Sequence, residues 1–430
     1  VIEYDVIATP EDFLRAVEII RGGEGPIAVD AERASGFTYS QRAYLIQLYR
    51  RGAGTFLFDP PAVGPMDALG EAIDDEEWIL HAASQDLACL REVGLDPSRI
   101  FDTELAARLL GMPRVGLGAV VEELLGIHLA KEHSAADWST RPLPQSWLVY
   151  AAKDVELLVD VRDRMVEMLE AADKTTIADE EFSATLAREP KAVRTDPWRR
   201  LSGIHSLRGI RALAVARELW LARDAFARER DISPGRLIPD ASIIAVARNI
   251  PSNVRQLSGR RDFTGRASRG EVERWWAAIE RGSTTEDLPV LRGNGETLPP
   301  PRAWADRNPE ADARLKAAKA AVTTIADDLD IPLENVLTPE VLRRIAWTPP
   351  AVIDGESVGA ALAENGARHW QIQATADAIA AAFIAGPAEP DPAEPATDDG
   401  DATSSEPPSA ENEAIVDGAQ STAQVRESAS

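Results

Sequence analysis

Four acidic residues stand inside stretches that otherwise read as buried core. Asp30 and Glu32 lie in IAVDAER, Asp86 in ILHAASQDLACL, and Asp154 in YAAKDVELL. Removing an unpaired carboxylate from water costs several kcal/mol, so a core strand or helix keeps one only where something compensates. No Lys or Arg recurs in these patches at a spacing suited to pairing. Divalent metal ions are the obvious compensation, and metals held by carboxylates point to phosphate chemistry.

The surrounding pattern says how such residues can meet. PEDFLRAVEIIRGG has helical spacing and ends on a Gly pair, and three strand candidates follow, PIAVDAE, AYLIQLYR and TFLFDP. Short turns between them predict an antiparallel meander. Further on, the short strands WILHA and IFDT alternate with helices, the last running from about Pro144 to Ala172. This order predicts an α/β class: a mixed central sheet with helices on both faces. Asp30 and Glu32, two apart on a strand, leave one face. Asp86 is expected to begin a helix near the carboxyl end of the sheet, where α/β clefts form. Tyr150 and Asp154, four apart on a helix, share a face. Four carboxylates and a phenol converging in this way suit two metal ions roughly 3.5–4 Å apart, which activate a water and stabilise a departing 3′ oxygen. Hard oxygen ligands favour Mg2+ or Mn2+. Taken singly the signals are weak. A D-x-E pair also suits a solvated strand edge, Asp86 a helix N-terminus, and Y-x-x-x-D is nearly uninformative. Their strength is their joint occurrence, in order, in the right local structure.

At 430 residues the chain predicts two or three domains. No apolar run reaches the roughly 18 residues that span a bilayer, and the acidic start lacks a signal-peptide pattern. Cys89, the single cysteine, excludes an intramolecular disulfide framework and a multi-cysteine zinc site. It reads as a small buried residue, and a reducing, cytoplasmic setting is expected. The net charge of −25 is uneven: residues 194–281 are basic, whereas the remaining segments are acidic. A basic module within an acidic chain predicts a local polyanion contact. The divisions expected are 1–172 (α/β), 173–193 (linker), 194–281 (helical), 282–308 (linker), 309–385 (helical) and 386–430, an acidic tail too poor in apolar residues to fold.

These residues also match a known family. IAVDAERASGFTYSQRAYLIQLY, ILHAASQDLACL and DWSTRPLPQSWLVYAAKDVELL resemble, in order, the three motifs of ribonuclease D-type 3′→5′ exonucleases, the tyrosine-bearing branch of the DEDD superfamily. FDTELAARLLG sits where that family has a similar segment, so the likeness covers about residues 1–172. It implies a ribonuclease H-like fold and release of nucleoside 5′-monophosphates from an RNA 3′ end. Asp30, Glu32, Asp86 and Asp154 would be metal ligands, Asp30 bridging two ions, and Tyr150 would orient or help deprotonate the attacking water. His81 reads as structural. Lys131, Trp138 and Arg141 would shape the cleft or touch substrate phosphates. Ala31 stands where threonine is common, Arg33 follows Glu32, and Ser134 and Ala136 replace more polar choices. These departures leave every metal ligand in place.

The stretch of about 194–275 resembles the helicase-and-ribonuclease-D C-terminal (HRDC) domain, a small helical nucleic-acid-binding module. Arg208, Arg211, Arg217, Arg223, Arg236, Arg255, Arg260 and Arg261 are its candidate phosphate contacts. Trp220 reads as core, while Trp275 and Trp276 suit either packing or base stacking. Residues 309–385 look like a second, weaker copy with a structural role. The expected substrate is RNA with a 3′ end, tRNA precursors being the class the family suggests. Neither a membrane nor an obligate protein partner is expected. Two alternatives stay open: a DNA-directed exonuclease, and a catalytically idle nucleic-acid-binding scaffold.

Overall fold

The computed structural model describes residues 3–129, 133, 135–189, 195–263, 265–291 and 298–386. Lys131, Ser134 and all of the expected acidic tail beyond 386 lie outside these described residues.

Local chemistry sets the first elements. The helix Pro10–Arg21 begins where the Thr9 hydroxyl accepts the Asp12 N–H and proline occupies the first turn, and it buries Phe13, Ala16, Val17 and Ile20 at helical spacing. The strands are β1 (Val6–Ile7), β2 (Glu24–Arg33), β3 (Ala43–Arg51), β4 (Gly54–Phe58), β5 (Trp78–Leu80) and β6 (Ile100–Asp102). They form one sheet in the order β1-β4-β3-β2-β5-β6. The β2-β3-β4 meander is antiparallel, as expected, and β5 and β6 add parallel to its β2 edge. The two-residue β1, which the sequence does not advertise, runs parallel to β4. Asp30 lies opposite Gln47 and Glu32 opposite Leu45, with a register shift just beyond Glu32.

Three expectations about elements need correction. The long helix expected from Pro144 to Ala172 is two helices, Gln145–Glu156 and Leu158–Ala171, breaking at Leu157. The 173–193 linker contains the helix Thr175–Leu186, because Ala178 and Phe182 share a face and Phe182 packs at 4.9 Å from the Phe101 ring. The 282–308 linker likewise carries a short helix, Trp304–Arg307, whose Trp304 is fully buried against Trp347.

Both helical regions repeat one layout. Ile210–Arg230 and Pro309–Leu329, each 21 residues, end on aspartates with left-handed backbone, Asp231 and Asp330. Short helices follow at equal spacing, Pro234–Leu237 and Leu333–Val336, then Asp240–Arg248 and Pro339–Trp347. Their cores differ. The first region closes around its own cluster, including Trp198, Leu219, Ile243, Phe263 and Trp275. The second shares one continuous core with the sheet, running from Phe13 and Trp78 to Trp370 and Phe383.

Candidate active site

β2 delivers the first two acids. Asp30 and Glu32 sit beyond the buried run Ile27–Val29, on the strand hydrogen-bonded on both sides. The helix Gln145–Glu156 packs across β2, β3 and β4 and brings Asp154 in from above. One carboxylate oxygen each from Asp30, Glu32 and Asp154 lie within 4.8 Å of one another. Tyr150, one turn earlier, hydrogen-bonds Asp154. Burial and the charges of Asp154 and Glu32 push its phenol well above the ordinary range, so the hydroxyl keeps its proton and donates.

Asp86 enters from the other side of β2. The sequence reading put it at the start of a helix; a 3-10 turn, Ala83–Gln85, intervenes, and Asp86 stands just before the helix Leu87–Arg91 without capping it. It lies outside the three-carboxylate cluster but lines the same cleft, and the Asp30 charge acts on it. The turn carrying Asp86 is held from behind by Asp102. That carboxylate accepts the N–H groups of Ala82 and Ala83 at 3.0 and 2.9 Å, and also those of Glu104 and Leu105.

Electrostatics set this cluster apart from an ordinary acidic surface. Burial, then neighbouring carboxylates, pushes Glu32 and Asp86 far up, and lifts Asp154 to about 8. Burial also raises Asp30, opposed by the Ala31 N–H and by the Gln47 amide at 2.5 Å. Among the described residues none of the four is in an ion pair. A converging set of hard oxygen donors with no ion-pair partner among the described residues fits a divalent cation. The fold and this cluster together mark a metal-using site.

Two supporting residues escaped the sequence reading. Gln47 is fully buried on β3 opposite Asp30, and its Oε1 has no partner. The signal was an amide inside the apolar run AYLIQLYR. Asp102 was legible as an aspartate before a helix, the ordinary N-cap pattern. His81 also lines the cleft. His81 Nδ1 lies 2.9 Å from the Thr103 hydroxyl oxygen, which also reaches the Leu80 carbonyl at 3.2 Å. Burial lowers the imidazole to about 4 and keeps it neutral.

The cleft encloses about 760 Å³. Its far wall is not sheet: Ser233 and Pro234 of the first helical region face Tyr39 of the 34–42 loop. The Asp231 carboxylate accepts the Ser40 N–H at 2.7 Å, Ser233 N–H bonds the Phe37 carbonyl at 2.9 Å, and Arg236 lies over the Phe37 ring at 4.0 Å.

The structure separates the expected RNA-contacting residues into two groups. Arg208, Arg255 and Arg261 are exposed and unpaired among the described residues. Arg141 instead binds Asp59 at 2.6 Å and three backbone carbonyls. Arg211 is committed to the Gly282 and Thr285 carbonyls, and Arg260 to Asp262, Asn249 and Ala245. Arg217 pairs with Asp287. Arg223 is buried against Asp240 and the Ile238 carbonyl. A guanidinium held by carbonyls orders backbone and has few donors left for phosphate. Trp138 and Trp275 are fully buried and serve packing, and Trp220 and Trp276 pack half-buried on the first helical core.

Comparison with protein families matches a 3′-5′ exonuclease model over residues 4–170, an HRDC domain over 212–279, and a 3′ to 5′ exonuclease C-terminal domain over 297–383. The last match gives the second helical region a family description of its own. Ribonuclease D of Gluconacetobacter diazotrophicus is 30% identical over 80% of this chain and 86% of that protein. A crystal structure of a protein from Bifidobacterium adolescentis superposes with a TM-score of 0.82 at 38% identity, over 89% of this chain and 97% of that one. Escherichia coli RNase D, described as an exoribonuclease involved in structured RNA processing, superposes with a TM-score of 0.63 at 27% identity, over 84% and 98%. With its exonuclease core, HRDC domain and most of the relatives' length accounted for, the chain belongs to the ribonuclease D family of 3′-5′ exonucleases.

Proposed function

We propose that this protein hydrolyses RNA from the 3′ end to nucleoside 5′-monophosphates, using two divalent cations, Mg2+ or Mn2+, and that stable RNAs such as tRNA precursors are its substrates. The observation that carries the reading is the convergence of Asp30, Glu32 and Asp154 oxygens within 4.8 Å, with no ion-pair partner among the described residues, in a cleft shared with Asp86 and Tyr150. Those four carboxylates would hold the cations. Bound there, divalent cations supply an acidified attacking water and neutralise the charge that builds on the departing 3′ oxygen. The chain's own residues do the positioning. Gln47 fixes one Asp30 oxygen, and Tyr150 keeps its proton and orients the nucleophile by hydrogen bonding. His81 stays neutral in the cleft wall and adds no charge there. Arg208, Arg255 and Arg261 on the basic helical module would hold the RNA body through phosphate contacts.

The test uses 3′- and 5′-labelled RNA with Mg2+ or Mn2+, beside a DNA oligomer of the same sequence. Mononucleotides released from the RNA 3′ end are expected, with Asp30→Asn losing at least about a hundredfold in rate while RNA binding persists. Faster release from DNA would reassign the substrate. Binding without release under either metal would mark a scaffold.

A further inference from the structure

Among the described residues lining the cleft, Arg33 is the one lysine or arginine. It is the last residue of β2, directly after the Glu32 carboxylate. A register irregularity separates it from Glu32 in the pairing with β3, and it lines the same cleft as Glu32 and Asp86. Arg33 is half-buried, yet it makes no hydrogen bond or ion pair with any described residue. Its charge nevertheless reaches the site: burial pushes Asp30, Glu32 and Asp86 up, and Arg33 opposes that push at all three. A guanidinium that shares a cleft with three acids and is bonded to no described residue keeps its planar fork of donors available for a ligand.

Charge balance says which ligand. Four carboxylates and two divalent cations would sum to zero, leaving no surplus positive charge to match that of a phosphodiester. Arg33 supplies the missing positive charge, matched to the single negative charge of one internucleotide phosphate. We propose that Arg33 is a substrate-positioning residue that binds a phosphate of the 3′-terminal segment, and the 5′-phosphate of the released nucleotide, in the cleft. This rests on the exonuclease reading, in which the cleft holds a nucleotide. The immediate chemistry is a charge-assisted, bidentate hydrogen-bond pair to phosphate oxygens. Lysine would reproduce the charge without the fork.

The experiment compares the full chain with Arg33→Leu and Arg33→Lys, first confirming equal melting temperatures. Calorimetry with Mn2+ measures binding of adenosine 5′-monophosphate and of adenosine, and a parallel assay measures KM and kcat on an RNA oligomer. Arg33→Leu should weaken monophosphate binding about tenfold or more while leaving adenosine unchanged. KM should rise more than kcat falls, and Arg33→Lys should recover part of the loss. Unchanged monophosphate affinity in Arg33→Leu would overturn the proposal. So would an equal loss for adenosine, which would mark Arg33 as a counter-charge that only steadies the acids. A wild-type chain that binds the monophosphate through Arg33 but cleaves no RNA would leave the phosphate site standing and defeat the exonuclease reading instead.

Discussion

Asp30 and Gln47 face each other across two strands, and this pair shows how the site is prepared at the level of single side chains. The Gln47 amide donates to Asp30 while its own Oε1 stays buried and unpaired. A leucine there would remove an unsatisfied polar atom but also strand an Asp30 oxygen, so Gln47→Leu should lower folding stability by about 1–2 kcal/mol. Cleavage should fall roughly 10- to 100-fold, because a ligand's outer partner is lost. Steady-state kinetics beside a urea melt would reveal it; intact turnover would show that Asp30 needs no such anchor. The acids also set a pH dependence. Their folded-state values lie above the ordinary carboxylate range, with Asp154 at about 8. The folded state therefore holds protons that the unfolded chain has released, and metal-free stability declines as pH rises toward 8. Metal binding must displace the same protons. Saturating Mn2+ should accordingly raise the melting temperature more at pH 8 than at pH 6, a comparison that differential scanning fluorimetry makes directly. Equal increments at both pH values would contradict the assignment of these groups as the metal ligands.

Among the elements, the strand-turn-helix unit around Asp102 does the most for its length. Asp102 caps the helix Thr103–Leu109 and holds the Ala82–Ala83 turn, so one buried carboxylate serves four backbone N–H groups. Burial raises it to about 6 in spite of those bonds. Asp102→Ala would leave the donors buried and unserved, with a cost of roughly 3 kcal/mol. It should also lower cleavage, since the Asp86 turn loses its backing; urea unfolding and kinetics on one sample would separate the two effects. A variant as stable as the parent would show that water replaces the carboxylate. Close backbone approach matters at this level as well. A Cβ on Gly282 would sit 2.5 Å from Val215 Cα, so the helices Ile210–Arg230 and Val272–Thr284 pack through a position that only glycine fills.

Across the whole molecule, the two helical regions attach by different physics. The first keeps its own core, takes Tyr39 of the 34–42 loop against it, and binds that loop through polar contacts centred on Asp231. Burial alone would raise that carboxyl, but bonds from Ser40 and the Arg42 charge hold it below the usual range. The second merges its core with the sheet, and the buried Glu181 anchors it by polar bonds. Glu181 receives Arg368 at 2.6 Å and the Trp370 indole at 2.8 Å, while Lys174 reaches the Leu109 and Asp330 carbonyls. Removing one partner of a buried pair strands the other, so Glu181→Ala should lower global stability by about 3–5 kcal/mol. Chemical denaturation would measure it. A loss confined to a minor early transition would mean that the second region unfolds independently of the catalytic core.

The acids, the phenol, the meander and the basic character of 194–281 were legible in the chain because each is local: strand period, helix period and composition act over a few residues. The resemblance of the three motifs then named the chemistry. What the linear order could not convey is which groups find partners across long separations. Arg141 and Arg260 read as candidate phosphate contacts but fold onto carbonyls. Gln47 reads as one polar residue in a strand but lands opposite Asp30. The 173–193 span reads as a linker because a long helical pattern gives way there to REPKAVRTDPW, yet Phe182 has a place against Phe101. Hydrogen bonding and burial are pairwise and long-range, so a side chain's role is settled by the neighbour it meets, and only the folded chain brings that neighbour into reach.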